Sequence, residues 1–371
     1  MEPESNEAER AAASRAGSLR RRVLAGVSMA VTVLALGLAV WLALTANKTH
    51  NPPWVDWATY ANALQRLADH LAVYDARQLA GPYHLLDMST NGAFGYAYPP
   101  ASLILFLPFW SQPLGLILWL VLNVGLLVSG VYAILRRELG RDAAVYFGVA
   151  VLPVILWVGF IEGLTAGNVT LGLSGVLAWA WAIGRERVSP VAVAALGIAK
   201  VFPATLVFWT TPSKLPRAIL TSALIAAAWV VVTLPFIGIG TWVDFFRAMG
   251  NAQPNCDAYR SSVTCLLAPT IGVGLGKIFA VLLAGALGLA AVFVPNDLIA
   301  FTLLAVSWVV PAYNQSFYSL LPLFVVWVVA FAVAVRRLRT VEVGPPAAAL
   351  RRLVSRSGRG TAPGSGAQSG R

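Results

Sequence analysis

The chain has 371 residues, 58% of them hydrophobic and 12% charged, with a mean hydropathy of +0.72. Apolar runs long enough to cross a bilayer must dominate it, which excludes a soluble globular domain and predicts an all-α polytopic membrane protein. The net charge of +11 does not point to nucleic acid, because Lys and Arg sit in short clusters between apolar runs and in a tail, Arg336 to Arg371, that holds eight Arg against the single acid Glu342. That distribution fits the positive-inside rule and attraction to anionic lipid, so the expected partner is the lipid bilayer.

Residues 1–22, MEPESNEAERAAASRAGSLRRR, are polar, acidic first and basic next to the first apolar run, and read as a disordered cytoplasmic segment. The run Val23–Thr45 is longer than the core of a cleavable signal peptide and lacks a small-residue cleavage site, so it reads as a retained anchor. Arg20, Arg21 and Arg22 orient it from inside to outside, which makes Asn47–Ala97 extracytoplasmic. Within that stretch Trp57, Tyr60, Leu64, Leu67, Leu71 and Tyr74 recur at three- and four-residue spacing, with Thr59, Asn62, Gln65, Arg66, Asp69 and His70 between them. This pattern predicts an amphipathic helix lying on the membrane surface. NGAFGYAYPP, punctuated by Gly and Pro, then turns the chain back towards the bilayer.

Further apolar runs follow at Pro113–Leu135, Ala143–Gly163, Val169–Gly184, Pro190–Thr211, Ala218–Ile237, Gly272–Val294, Leu298–Pro311 and Phe317–Val335. Pro100–Trp110 is too short for a comfortable span, and Pro190–Thr211 is interrupted by Lys200 and Pro203. Two arrangements are open. If the clusters Arg136–Arg141, Arg185–Arg187, Lys214–Arg217 and Arg336–Arg339 are all cytoplasmic, Pro100–Trp110 dips without crossing and Pro190–Thr211 is a helical hairpin with Lys200 near its tip. Otherwise both segments cross and Arg136 and Arg185 lie outside. Either way the expectation is one membrane domain over 23–339 with about 9–11 transmembrane helices, followed by a basic, Gly/Ser/Pro-rich, disordered cytoplasmic tail over 340–371.

The three histidines, His50, His70 and His84, share the first outer loop with Asp56, Asp69, Asp75 and Asp87, yet no HxxxH or HExxH spacing occurs and no metal site is expected. Asp56 follows Pro52 and Pro53, where a carboxylate can cap the amphipathic helix and, compatibly with that, take a proton from a hydroxyl as a general base. Lys200, in GIAKVFPA, is flanked by apolar residues and must snorkel, pair or bind an anion. Glu162, just before TAGN, is a second charged candidate. Cys256 and Cys265, the only cysteines, fall in one outer loop, Thr241–Ala268, which favours a disulfide. No P-loop or dinucleotide fingerprint occurs, so no nucleotide cofactor is expected.

Taken in order, Asp56 shortly after the first span, an amphipathic helix, YAYPP, GN before an apolar run, AKVFP and a Pro- and aromatic-rich break near the last spans form a recognisable series. It resembles the bacterial polyprenol-phosphate-mannose-dependent alpha-1,2-mannosyltransferase-like membrane glycosyltransferases, which have a GT-C type fold, over most of Arg22 to Arg339. The resemblance implies an inverting transfer of a hexose, mannose above all, from polyprenyl phosphate to an extracytoplasmic hydroxyl of a lipid or glycan acceptor, at the plasma membrane of a bacterium. Asp56 maps to the family's proposed base, and the Tyr-x-Tyr-Pro-Pro turn to Tyr96, Tyr98, Pro99 and Pro100. The Gly-Asn step maps to Gly167 and Asn168, and the Lys-x-x-Pro step to Lys200 and Pro203. Family members commonly carry Ser-Pro-x-x-Trp followed by His near the last spans, whereas this chain reads VSWVVPAYNQSFY and has no His after His84; Asn314 and Gln315 are the residues left there to bind sugar hydroxyls. A transporter or flippase, or an inactive scaffold relative, is the alternative, and would use the same polar residues as a substrate path or for structure alone.

Overall fold

The computed structural model describes residues 3–46, 54–75, 96–111, 113–254, 256, 262–312 and 316–343, and the described residues contain helices and no strands. Two compact units are distinguished, Met1–Ala332 and Val333–Arg371; the described part of the second is the end of the last helix. The tail beyond Val343, with His50, His84, Asp87, Asn314 and Gln315, lies outside the described residues.

Helix α1 (Pro3–Ala46) includes the polar N-terminal segment as well as the apolar run. Its Ser28, Thr32, Ala35, Ala39 and Ala43 are buried while Leu34 is 72% exposed, so the helix turns small residues inward and bulky apolar ones outward. That inversion suits a lipid solvent, in which close backbone packing rather than hydrophobic burial holds helices together. α2 (Val55–Ala68) buries Trp57, Tyr60 and Leu64 as its spacing predicts, together with Thr59 and Ala63. It is shorter than the periodicity suggests, because His70 adopts a left-handed φ of 56° and stops it; Leu71 is then exposed and Tyr74 is buried from irregular chain.

Pro100–Phe109 forms two single 3₁₀ turns around α3 (Leu103–Phe106), ten residues in all, about half of what a span needs. α4 (Leu114–Leu139) and α5 (Ala143–Ile155) follow, then α6 (Val158–Ala166) and α7 (Thr170–Ile183). α4 and α7 lie close enough that a Cβ on Gly175 would fall 2.3 Å from the Leu126 carbonyl carbon, so a hydrogen at 175 is what permits the contact.

α8 (Pro190–Ala199) is capped by Ser189 and ends at Lys200, whose backbone is extended; a 3₁₀ segment, Phe202–Phe208, returns. The Glu186 N–H donates to the Trp209 carbonyl at 3.2 Å and Arg185 Nε to the Thr210 carbonyl at 3.1 Å, so both feet of this unit stand at one place. Of the two arrangements open from the sequence, the hairpin with Lys200 at its tip is the one observed. Ten α residues and seven 3₁₀ residues each rise about 15 Å, roughly halfway across a bilayer core.

The remaining helices are α9 (Leu215–Ile237), α10 (Ile239–Asn251), α11 (Val263–Phe293), α12 (Asp297–Val309) and α13 (Leu321–Val343). α10 corrects the expectation that Thr241–Ala268 is all loop: Trp242, Phe245, Phe246 and Met249 fall at i, i+3, i+4 and i+7, and Phe245 packs edge-on against Tyr74 at 5.5 Å. The expected disulfide between Cys256 and Cys265 is present and ties this loop to the start of α11. Among the described residues five stretches are long and apolar enough to cross a membrane, Arg15–Thr45, Leu114–Ile155, Leu215–Ile237, Val263–Phe293 and Phe317–Arg339, with α7, α8 and α12 as shorter apolar helices. The chain is therefore an all-α polytopic membrane protein.

Candidate active site

Several charged side chains of the first unit fall at two opposite ends. At one, Arg21 pairs with Asp142 at 2.8 Å, Arg137 donates to the Trp181 carbonyl, and Lys214 pairs with Glu186. Arg185 is clamped there by the carbonyls of Ala291, Val292 and Val294 at 2.5–2.8 Å. Of the described residues singled out for chemistry, Asp56, Tyr96, Tyr98, Glu162, Asn168 and Lys200 converge on the other end.

There the α2 start is set by Trp54, which takes a left-handed conformation (φ 58°, ψ 38°) and donates its N–H to the Thr165 carbonyl at 2.6 Å. Trp54, not Asp56, is the N-cap, and no side chain makes the capping bond. Asp56 lies in the first turn, where the helix end favours a negative charge, and its carboxylate turns away from α2 to accept from Asn168 Nδ2 at 2.6 Å. Capping is therefore not what this side chain does.

The GN pair makes that bond possible. Gly167 ends α6 with φ 69°, and a Cβ on it would come within 3.0 Å of the Trp57 Cβ, so glycine serves both the turn and the approach of α2. The Gly167 carbonyl accepts from Trp119 Nε1 at 2.7 Å. Asn168 then uses both ends of its amide: Nδ2 on Asp56, and Oδ1 on the Thr170 N–H at 2.8 Å. The Thr170 hydroxyl accepts from Lys200 Nζ at 3.0 Å. A carboxylate on α2 and an ammonium at the hairpin tip are thus joined through two neutral side chains of the α6–α7 turn. Asp56 and Lys200 do not approach within 4.0 Å of each other among the ion pairs of the described residues. Burial raises the Asp56 pKa above the usual carboxylate value, opposed by the Asn168 hydrogen bond and then by the Lys200 charge.

The YAYPP turn forms the adjoining wall. Tyr98, only partly exposed, accepts from the Tyr60 hydroxyl at 2.9 Å, and its carbonyl accepts from the Tyr74 hydroxyl at 2.5 Å. Tyr96 is 1% exposed, with its hydroxyl on Ser102 and its ring among Tyr60, Tyr98 and Phe106. Of the two tyrosines expected to meet substrate, Tyr98 is the one at the surface and Tyr96 the one beneath it.

Two residues with weaker signals in the sequence join this group. Glu162 on α6 accepts the Tyr318 N–H at 3.3 Å, and the Tyr318 side chain lies within electrostatic reach of Asp56 and Glu162. Tyr318 is the last residue of YNQSFY, and an aromatic residue close to polar ones in an otherwise apolar stretch is the signal that could have found it. No group of three or more His, Cys, Asp or Glu suited to a metal occurs among the described residues. His70 is exposed at the end of α2, away from any such group.

A family model described as glycosyltransferase family 87 matches residues 96–355. The match begins at Tyr96, so it takes in Tyr98, Asn168, Lys200 and Tyr318 and leaves Asp56 to the geometry alone. No curated protein and no solved structure matches. The match covers more than half of the chain, and the chain belongs to glycosyltransferase family 87.

Proposed function

We propose that this glycosyltransferase moves a hexose, mannose first among the candidates, from a polyprenyl-phosphate donor to an acceptor hydroxyl, with inversion at the anomeric carbon. The observation that carries the reading is the separation of a carboxylate and an ammonium, joined by Asn168 and Thr170 but not paired. Displacement of a lipid phosphate by an alcohol needs a base where the nucleophile loses its proton and a cation where the leaving phosphate gathers charge. A direct ion pair would spend both.

In this reading the acceptor hydroxyl gives its proton to Asp56 as its oxygen attacks the anomeric carbon. The bond from that carbon to the phosphate oxygen breaks on the opposite face, and polyprenyl phosphate leaves with the electron pair. Lys200, its Nζ held on Thr170, stabilises that charge. Asn168 fixes the carboxylate by one bond and leaves its other oxygen for the proton. Tyr98 offers a hydroxyl to the sugar or acceptor, with Tyr96 holding the turn beneath; Asn314 and Gln315 are the further proposed sugar ligands. Because the Lys200 tip stands about half a bilayer above the hairpin's feet, a lipid-borne phosphate can meet it from within the membrane.

Charge supports one choice of membrane side. Arg21, Arg137, Arg185 and Lys214 share the end opposite the site. The positive-inside rule then puts both termini in the cytoplasm and the site on the extracytoplasmic face of a bacterial inner membrane, with a lipid or glycan as acceptor.

The test incubates purified protein with polyprenyl-phosphate-linked mannose, glucose and galactose, follows release of polyprenyl phosphate, and determines the anomeric configuration of the product. Release with inversion is expected. Transfer from nucleotide sugars only, or with retention, overturns the reading while leaving the family membership intact.

A further inference from the structure

At the end opposite the site, a cleft of about 360 Å³ opens between the hairpin and α9. Nothing in the sugar-transfer chemistry uses it. One wall is α9, where Lys214, Arg217, Ala218 and Thr221 fall at i, i+3, i+4 and i+7 and so share a face. The facing wall, from α8 and the 3₁₀ segment, is apolar through Val193, Leu206 and Val207. The cleft is amphipathic, cationic at its rim and greasy along its length.

Charge at the rim is unbalanced. Lys214 is paired with Glu186, which cancels both, whereas the Arg217 guanidinium has no ion pair or hydrogen bond among the described residues. One positive charge is left over. Deeper along α9, Ser222 is 6% exposed and its hydroxyl has no partner, although it lines the same cleft. A buried hydroxyl without a partner costs free energy that a bound acceptor oxygen recovers. The adjoining face of α9 is apolar and open, with Leu220 and Leu224 each 61% exposed, so the cleft borders the surface that faces lipid chains.

We propose that this cleft binds the head group of an anionic phospholipid, its phosphodiester on Arg217, a head-group oxygen on Ser222 and an acyl chain along the Val193–Leu206 wall. The net rim charge of one matches a phosphodiester, which carries one negative charge, and the apolar wall distinguishes a lipid from free phosphate. The site lies where the hairpin that carries Lys200 meets α9, so an occupant braces the base of the hairpin.

The experiment uses the full-length protein in detergent and native mass spectrometry during titration with phosphatidylglycerol, phosphatidylcholine or inorganic phosphate. It reads lipid retention, so its outcome is independent of whether the sugar-transfer reading stands. One phosphatidylglycerol is expected to be held more tightly than phosphatidylcholine and not to be displaced by millimolar inorganic phosphate. Arg217→Gln should weaken retention about tenfold, the usual worth of one charge-assisted hydrogen bond. Ser222→Leu, which fills the cleft without altering its charge, should abolish the preference. Arg141→Gln, an exposed cation at the same end but not in the cleft, should change nothing. Equal retention of the two lipids, displacement by inorganic phosphate, or full retention by well-folded Arg217→Gln overturns the proposal. Arg217 is exposed, so that variant decides the matter even if Ser222→Leu does not fold.

Discussion

The two ends of the bundle treat charge in opposite ways. At the hairpin's feet, Arg185 spends its guanidinium on four backbone carbonyls, with Asp297 at 3.7 Å, and Arg21 and Lys214 each meet an acid. At the hairpin's tip, Asp56 and Lys200 are kept apart by Asn168 and Thr170, which touch each of them and cancel neither. These three cations close helix termini and loops, a structural task in which neutralisation is the aim, and Arg217 is the exception at this end. At the second, the charge that remains is what a displacement at a sugar–phosphate bond can use.

The comparison breaks most visibly at Asp56. Asp56→Asn keeps size and the amide-to-oxygen contact with Asn168 but cannot accept a proton at neutral pH. Turnover is expected to fall roughly 10²- to 10⁴-fold while the gel-filtration profile in detergent is unchanged. Full activity in the folded variant returns the carboxylate to a purely structural role. Arg185→Gln should do the reverse: it strands several carbonyls at a site only 12% exposed and costs about 3 kcal/mol of stability, read as a lower unfolding temperature, with per-molecule turnover retained. A loss of turnover without loss of stability would erase the contrast between the ends. Lys200→Gln sharpens it further, with donor binding weakened about tenfold and turnover reduced as well, because in the proposed reaction Lys200 meets the donor phosphate before the transition state is reached.

How much of this could be read from the chain varies with the physics involved. The hairpin was legible only as one of two arrangements: the basic clusters around Arg185 and Lys214 and the charge of Lys200 in an apolar run suggested it, but a single span through Pro190–Thr211 fitted the hydropathy as well. The disulfide was legible from compartment and count. The GN pair was visible as a motif, but its purpose was not, since only the positive φ at 167 and the close approach of Trp57 show why a glycine is favoured there. α10 was hidden because its 13 residues are too few for a span and Gly238 and Gly240 read as loop. The left-handed Trp54 was beyond reach: a bulky residue at positive φ is disfavoured locally and is held by a distant carbonyl, Thr165. Tyr60 and Tyr318 were seen as a helix face and a span edge, since local periodicity says nothing of what a side chain faces across the bundle.

The smallest effect tests the link between the two charges rather than either one. A general base works as a carboxylate, so activity falls as pH drops through its pKa, and burial places the Asp56 value above the ordinary carboxylate range. The acid limb of the pH–turnover profile should therefore lie higher than for an exposed aspartate. The Asn168 hydrogen bond favours the charged form and so holds that limb down. Asn168→Ala removes the bond, favours the protonated form and should move the acid limb to higher pH, while turnover on the alkaline side of the limb drops by less than about tenfold. A hydrogen bond that only braced the α6–α7 turn would lower turnover equally at every pH. An acid limb that stays where it was, in a variant that still folds, would mean that the group titrating in the profile is not Asp56, and the carboxylate at the start of α2 would lose its place as the base.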